Sequence, residues 1–241
     1  MAMSHTHEAP YAQQPRRKRR SLLWLPIIVF IAGIVAAAGW VTYLLWPRWP
    51  AASMALDAPS LPITVRGSTF NIPPAAIRIK VQRKPGTQER VDLVFLWPSL
   101  TPPNPAIKSG PVTSAKAIDR IFLTIAGHDN TLPPVERFNT IYPRYFDASI
   151  GTTPGGLTVR PFRDGTAYQG EDMIYDDRNP ARFLIRCARD GAGATIGICL
   201  YERRIGAVDI TARFPRDWLS DWQSVSEGLD KLIGRLQGTQ R

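Results

Sequence analysis

Residues 181–203, ARFLIRCARDGAGATIGICLYER, place an apolar run on each side of a glycine-rich centre. Such arms around a glycine turn specify an antiparallel hairpin. Folding the segment symmetrically about Gly193 sets Cys187 directly opposite Cys199. Opposed Cβ atoms in an antiparallel pair lie ~4.5–5.5 Å apart, close to what a disulfide needs. The register therefore predicts a Cys187–Cys199 bond, with two buried thiols as the alternative. The bond requires an oxidising compartment.

Working outward, residues 207–214 alternate Val208, Ile210, Ala212 and Phe214 with Asp209, Thr211 and Arg213, the period of a half-buried strand. Residues 215–237 follow as a helix with proline in its first turn. Trp218, Leu219, Trp222, Val225, Leu229, Leu232, Ile233 and Leu236 form its apolar stripe. Packing on a sheet is one use for that stripe; a partner or membrane surface is the other.

Toward the N-terminus, strands are expected at 157–162 and 117–126, with a glycine-rich connection at 151–156 and a short proline-initiated helix at 133–142. The proline-rich residues 98–111 preclude regular structure and read either as a surface loop or as a recognition loop. Ile77, Ile79 and Val81 alternate with Arg78, Lys80 and Gln82, which predicts a strand returning through a turn at 84–87 into a second strand at 91–97. Residues 63–66 and 69–72 flank a Gly-Ser turn. The sum is an α+β fold, mainly antiparallel, with a C-terminal amphipathic helix.

Before this domain lies LLWLPIIVFIAGIVAAAGWVTYLLW, residues 22–46, without a charge in 25 positions. As a helix it would extend ~38 Å, enough to cross a bilayer with some tilt. Arg16, Arg17, Lys18, Arg19 and Arg20 precede it, and only Arg48 follows closely. The positive-inside rule then keeps the N-terminus cytoplasmic and exports the rest. Leu22, Trp24, Trp40 and Trp46 belong to the expected anchor, with Trp24 and Trp46 at its boundaries. A cleaved signal peptide is the competing reading, Ala36-Ala37-Ala38 imitating a cleavage site, but the apolar run continues past it through Leu45. A twin-arginine export signal is a further variant, with Lys18 where Ser or Thr is usual. The expected organisation is a disordered basic tail at 1–21, a span at 22–46, a proline-rich linker at 47–62 and a periplasmic domain at 63–241.

The chain carries 30 Lys plus Arg and 20 Asp plus Glu; setting aside the six basic and one acidic residue before Pro50 leaves 24 against 19. That scattered excess argues against a nucleic-acid partner but favours an acidic surface such as anionic lipid or envelope polymer. His128 is the sole exported histidine, so no metal site is expected. There is no phosphate-binding loop, G-x-S-x-G or H-E-x-x-H, and no cofactor is expected.

Three constellations remain. Glu171, Asp172, Asp176 and Asp177 crowd together, as paired carboxylates for glycan hydrolysis or as a solvated acidic loop. His128 adjoins Asp129 but lacks a nucleophile in a recognisable elbow. Aromatics and arginines recur in 142–146, 160–163 and at Tyr168, as a recognition surface or as core with capping arginines.

The phrases FNIPPAAIRIK, ERVDLVFLWPSL, GGLTVRPF, YQGEDMIYDD, ARFLIRC and DITARFPRDWLSDW behind one N-terminal span resemble a family of uncharacterised single-pass inner-membrane proteins of Gram-negative bacteria. The resemblance implies location and topology, with no functional residue to carry over. The favoured reading is a non-catalytic, membrane-anchored envelope protein that binds another protein or cell-wall material and touches lipid through its anchor. The alternative is an anchored glycan hydrolase using the carboxylates of 171–177.

Overall fold

The computed structural model describes residues 24–45, 54–106, 118–189 and 197–238. The chain divides into an N-terminal unit, residues 1–49, and a C-terminal unit, residues 50–241. In the first, helix α1 (Leu25–Leu45) has 21 residues and is long and apolar enough to cross a bilayer, ~31 Å at the usual rise. Trp24, Phe30, Val35 and Trp40 are exposed. Trp40 stacks on Tyr43 with ring centroids 5.9 Å apart. The tail at 1–21, with its basic run, and Leu22 and Trp46 lie outside the described residues.

In the second unit, β1 (Leu61–Val65) and β2 (Ser68–Ile72) form a hairpin, and β3 (Gly86–Thr87) pairs parallel to β1. The hairpin turns on Arg66 and Gly67, not on the expected Gly-Ser pair. Their positive φ values, 47° and 84°, give the primed turn that matches strand twist. A larger antiparallel sheet has the order β4-β5-β11-β10-β9-β8-β7-β6. Its strands are β4 (Arg90–Leu96), β5 (Arg120–Gly127), β6 (Gly151–Thr152), β7 (Thr158–Pro161), β8 (Glu171–Tyr175), β9 (Leu184–Ala188), β10 (Ile198–Ile205) and β11 (Val208–Pro215). Cys187 and Cys199 stand in register between β9 and β10 and are disulfide-bonded, as the sequence predicts.

One face of this sheet carries the main core. Val91, Leu93, Phe95, Ile121, Leu123, Ile125, Ile210 and Phe214 meet Ile63, Phe70 and Ile72 of the small sheet and the apolar stripe of α3 (Trp222–Leu236). The expected C-terminal helix therefore packs on the sheet. It begins later than expected, because Arg216–Asp221 is a 3-10 turn and Asp221 caps the α-helix by accepting from the Ser224 N–H. On the opposite face, α2 (Pro134–Thr140) and the turn after it cover the β7–β9 end through Tyr142, Phe146, Phe162, Met173 and Tyr175.

The expected strand over 77–81 does not form. Ile77 makes a single bridge to Leu93, and the chain then enters a 3-10 turn at Lys80–Gln82. Side chains replace the ladder: Gln82 Nε2 donates to Asp92 Oδ2 at 3.1 Å, and Asp92 N donates to Gln82 Oε1 at 2.9 Å. The expected turn at 84–87 ends in β3, and the connection at 151–156 contains the edge strand β6.

Close packing of α3 shows at Gly228, where an added Cβ would sit 2.7 Å from Trp97 Cζ3. Helix propensity favours Gly→Ala by ~1 kcal/mol, but overpacking costs ~1–3 kcal/mol, so Gly228→Ala is expected to lower the denaturant midpoint. At Gly127 an added Cβ would sit 2.5 Å from Arg66 Cγ, but that side chain is exposed and can swing aside, so the same change is expected to cost less. Equal effects at the two sites would contradict this packing.

Candidate functional site

The four clustered carboxylates do not converge. Glu171–Tyr175 is a sheet strand, not a loop, and successive side chains along a strand point to opposite faces. Glu171 lies on the outer face beside Arg186, approaching to 2.7 Å without hydrogen-bond geometry. Asp172 lies on the core face and is buried. Its Oδ1 accepts from Arg189 Nε at 2.8 Å, and Arg216 Nη2 reaches Oδ2 at 2.7 Å. Asp176 accepts from Arg178 N in the turn beyond the strand, and Asp177 is exposed there. The His128 ring contacts the Asp129 main-chain oxygen at 2.7 Å, while the Asp129 carboxylate accepts from Thr131 N. Neither arrangement aims two titrating groups at one point.

The aromatic and arginine segments form the second core. Phe162 packs at a tilt against Tyr168 at 4.9 Å and meets Tyr142 edge-on at 5.6 Å. Arg160 lies over Phe146 at 4.7 Å and Arg186 over Tyr168 at 5.2 Å. Burial pushes the Tyr142 phenol above its ordinary pKa, against the pull of Arg137 and Arg186.

What the sheet leaves partly open is its outer face over β4, β5, β11 and β10, which α2 touches only along β10. Register arranges that face in rows. Arg90, Ala126, Asp209 and Arg204 form one; Asp92, Thr124, Thr211 and Glu202 the next; Val94, Phe122, Arg213 and Leu200 the third. Arg90–Asp92, Arg204–Asp209 and Arg137–Glu202 pair at 2.6, 2.7 and 2.9 Å. The carboxylates of the face are thus matched internally. Arg78, stacked 4.7 Å over Phe122, and the exposed Arg213 beside the same ring have no carboxylate partner among the described residues. The result is a net-positive surface around an aromatic ring. Where α2 meets β10, it grades into a cavity of ≈ 210 Å³ lined by Pro133, Val135, Glu202, Arg203 and Arg204, among others.

Asp92 fixes the corner of this face. Burial raises its pKa, but hydrogen bonds from Arg90, Gln82 and Thr124 outweigh that and hold it below its ordinary 3.8. A carboxyl depressed on folding stabilises above its unfolded value and loses that contribution as pH falls through the folded one. The denaturant midpoint is therefore expected to fall as pH drops below about 4, and less so in Asp92→Asn. A parent and variant with parallel pH profiles would contradict this role.

The alternation in 117–126 and 207–214 already marks Thr124, Thr211 and Arg213 as off-core. The placement of Arg78 over Phe122 is absent from any local pattern, because it depends on the bridge that ends the Ile77 segment.

The architecture is an N-terminal apolar helix, a mainly antiparallel sheet and a C-terminal helix, an α+β fold. No family model and no curated protein matches the chain. Among solved structures, an immunity protein of the Stenotrophomonas maltophilia type IV secretion system shares the fold with a TM-score of 0.51 at 16% identity, over 74% of this chain and 93% of that one. The iron-regulated outer membrane lipoprotein FrpD of Neisseria meningitidis aligns over 79% of this chain and 96% of that one at 8% identity, with a TM-score of 0.42.

Proposed function

We propose that the protein is a membrane-anchored, non-catalytic binding module of the bacterial envelope. Residues 22–46 span the inner membrane, the basic tail 1–21 stays cytoplasmic, and the linker 47–62 presents the domain 63–241 in the periplasm. The observation that carries the binding role is the outer sheet face, where Arg78 lies over Phe122, exposed Arg213 is the cross-strand neighbour of that ring, and nearby carboxylates are already paired. Such a surface suits a protein or cell-wall partner with acidic groups. A fold shared with an immunity protein agrees with this reading. The hydrolase alternative draws no support from Glu171 and Asp172, which a strand directs to opposite faces.

The test is a photocrosslinking side chain placed in full-length protein in intact cells, at Thr211 on the open face or at Gln223 on the exposed side of α3. The reading expects a discrete adduct from position 211 that Arg213→Glu diminishes. Identical adduct patterns from both positions, or none from 211, would contradict it.

A further inference from the structure

The segment that fails to become a strand has an inverted arrangement of its side chains. In Arg78-Ile79-Lys80-Val81-Gln82-Arg83-Lys84 the polar glutamine points inward and the aliphatics point out. Gln82 is committed to Asp92, and Gln88 Nε2 donates to the Gln82 and Lys84 carbonyls at 3.0 and 2.8 Å. Arg83 Nε donates to Ile77 O at 3.0 Å, tying the loop back on itself. Ile79 is left 44% exposed and Val81 77%, while Ile77 is buried. A loop held by this many bonds does not display two neighbouring branched aliphatics by slackness.

Cations flank them in sequence. Four positive residues occupy positions 78–84 with no carboxylate between, and Arg78, Lys80 and Arg83 have no carboxylate partner among the described residues. Protruding aliphatics interleaved in sequence with Lys and Arg match a bilayer interface, where apolar tips enter the headgroup boundary and cations meet lipid phosphates. We propose that this loop is a second membrane contact, by which the domain docks on anionic phospholipid headgroups. The proposal rests on the anchored reading, since the linker would keep the domain near the bilayer that α1 enters. An acidic protein would answer the charges but has no special need for two isolated aliphatic tips.

The chain's two cysteines are joined to each other, so one introduced cysteine provides a unique labelling site. Full-length Val81→Cys carrying a polarity-sensitive fluorophore is reconstituted in nanodiscs of phosphatidylcholine alone or mixed with phosphatidylglycerol, with brominated acyl chains as quencher. Quenching is expected in the mixed discs, weaker in phosphatidylcholine and weaker at high salt. Lys80→Glu is expected to lower the bilayer-contacting population at least about fivefold. Ile150→Cys, an exposed aliphatic on the β6 side, serves as the unquenched control, and Val35→Cys reports insertion of α1. If the label at 35 is quenched while that at 81 behaves like that at 150, the loop contact is overturned and the anchor stands. If the label at 35 is also unquenched, both are overturned. Shielding of the label at 81 in cell membranes but not in lipid discs would assign the loop to a protein and overturn the lipid assignment.

Discussion

Replacing Asp172 with alanine is expected to lower the unfolding free energy by ~3–5 kcal/mol, the usual cost of removing one partner from a buried ion pair. The carboxylate side chain is 7% exposed and sits between two guanidiniums that are themselves tied to the main chain. Arg189 Nη2 donates to Phe162 O at 2.6 Å, and Arg216 Nη1 to Ala188 O at 3.2 Å. Asp172 thereby joins the end of β7, strand β8, strand β9 and the turn into α3. Its loss leaves two positive charges with no anion between them. The arginines, 34% and 21% exposed, regain some water, which places the effect nearer the lower bound. Denaturant unfolding followed by tryptophan fluorescence measures it. A loss below ~1 kcal/mol, typical of exposed pairs, would show that the clamp is not structural.

The Cys187→Ala, Cys199→Ala double variant is expected to lose ~3 kcal/mol. The bond closes a loop with a sequence separation of 12, and the chain-entropy model assigns about that much to restricting the unfolded chain. Reductant should move the parent's denaturant midpoint and leave the variant's in place. Asp172, Cys187, Cys199 and Phe214 stand in one cross-strand row, so the disulfide and the Asp172 clamp share neighbours. Their losses are therefore expected not to add. A midpoint indifferent to reductant would contradict the assigned contribution.

The fold was legible wherever apolar residues recur with a regular period. The hairpin about Gly193 yields the Cys187–Cys199 register, and the 207–214 alternation separates Ile210 and Phe214 from Thr211 and Arg213. The α3 stripe is equally plain. The same rule misleads at Ile77, Ile79 and Val81, because alternation records which residues are apolar and not whether a neighbouring strand is free to bond them. There Gln82 and Asp92 satisfy one another, and two of the three aliphatics stay exposed.

The site was less legible than the fold. Glu171, Asp172, Asp176 and Asp177 attract attention as a cluster, yet the two in strand β8 are separated by the alternation that strand imposes. The partners of Asp172 lie at 189 and 216, and no local pattern announces a pairing over that distance. Likewise Arg78 comes over Phe122, and Arg213 stands across from it, only once β4, β5 and β11 are neighbours.

Everything proposed for this protein depends on the domain being held outside the cytoplasm by an uncleaved α1. Protease treatment of spheroplasts expressing the full chain, tagged at each end, tests that most directly. The account predicts a membrane-bound protein of full mass, 26.8 kDa plus tags, whose C-terminal tag is lost to external protease while the N-terminal tag stays protected. A C-terminal domain that resists protease until the cells are lysed, or a mature protein lacking its N-terminal tag, would contradict it.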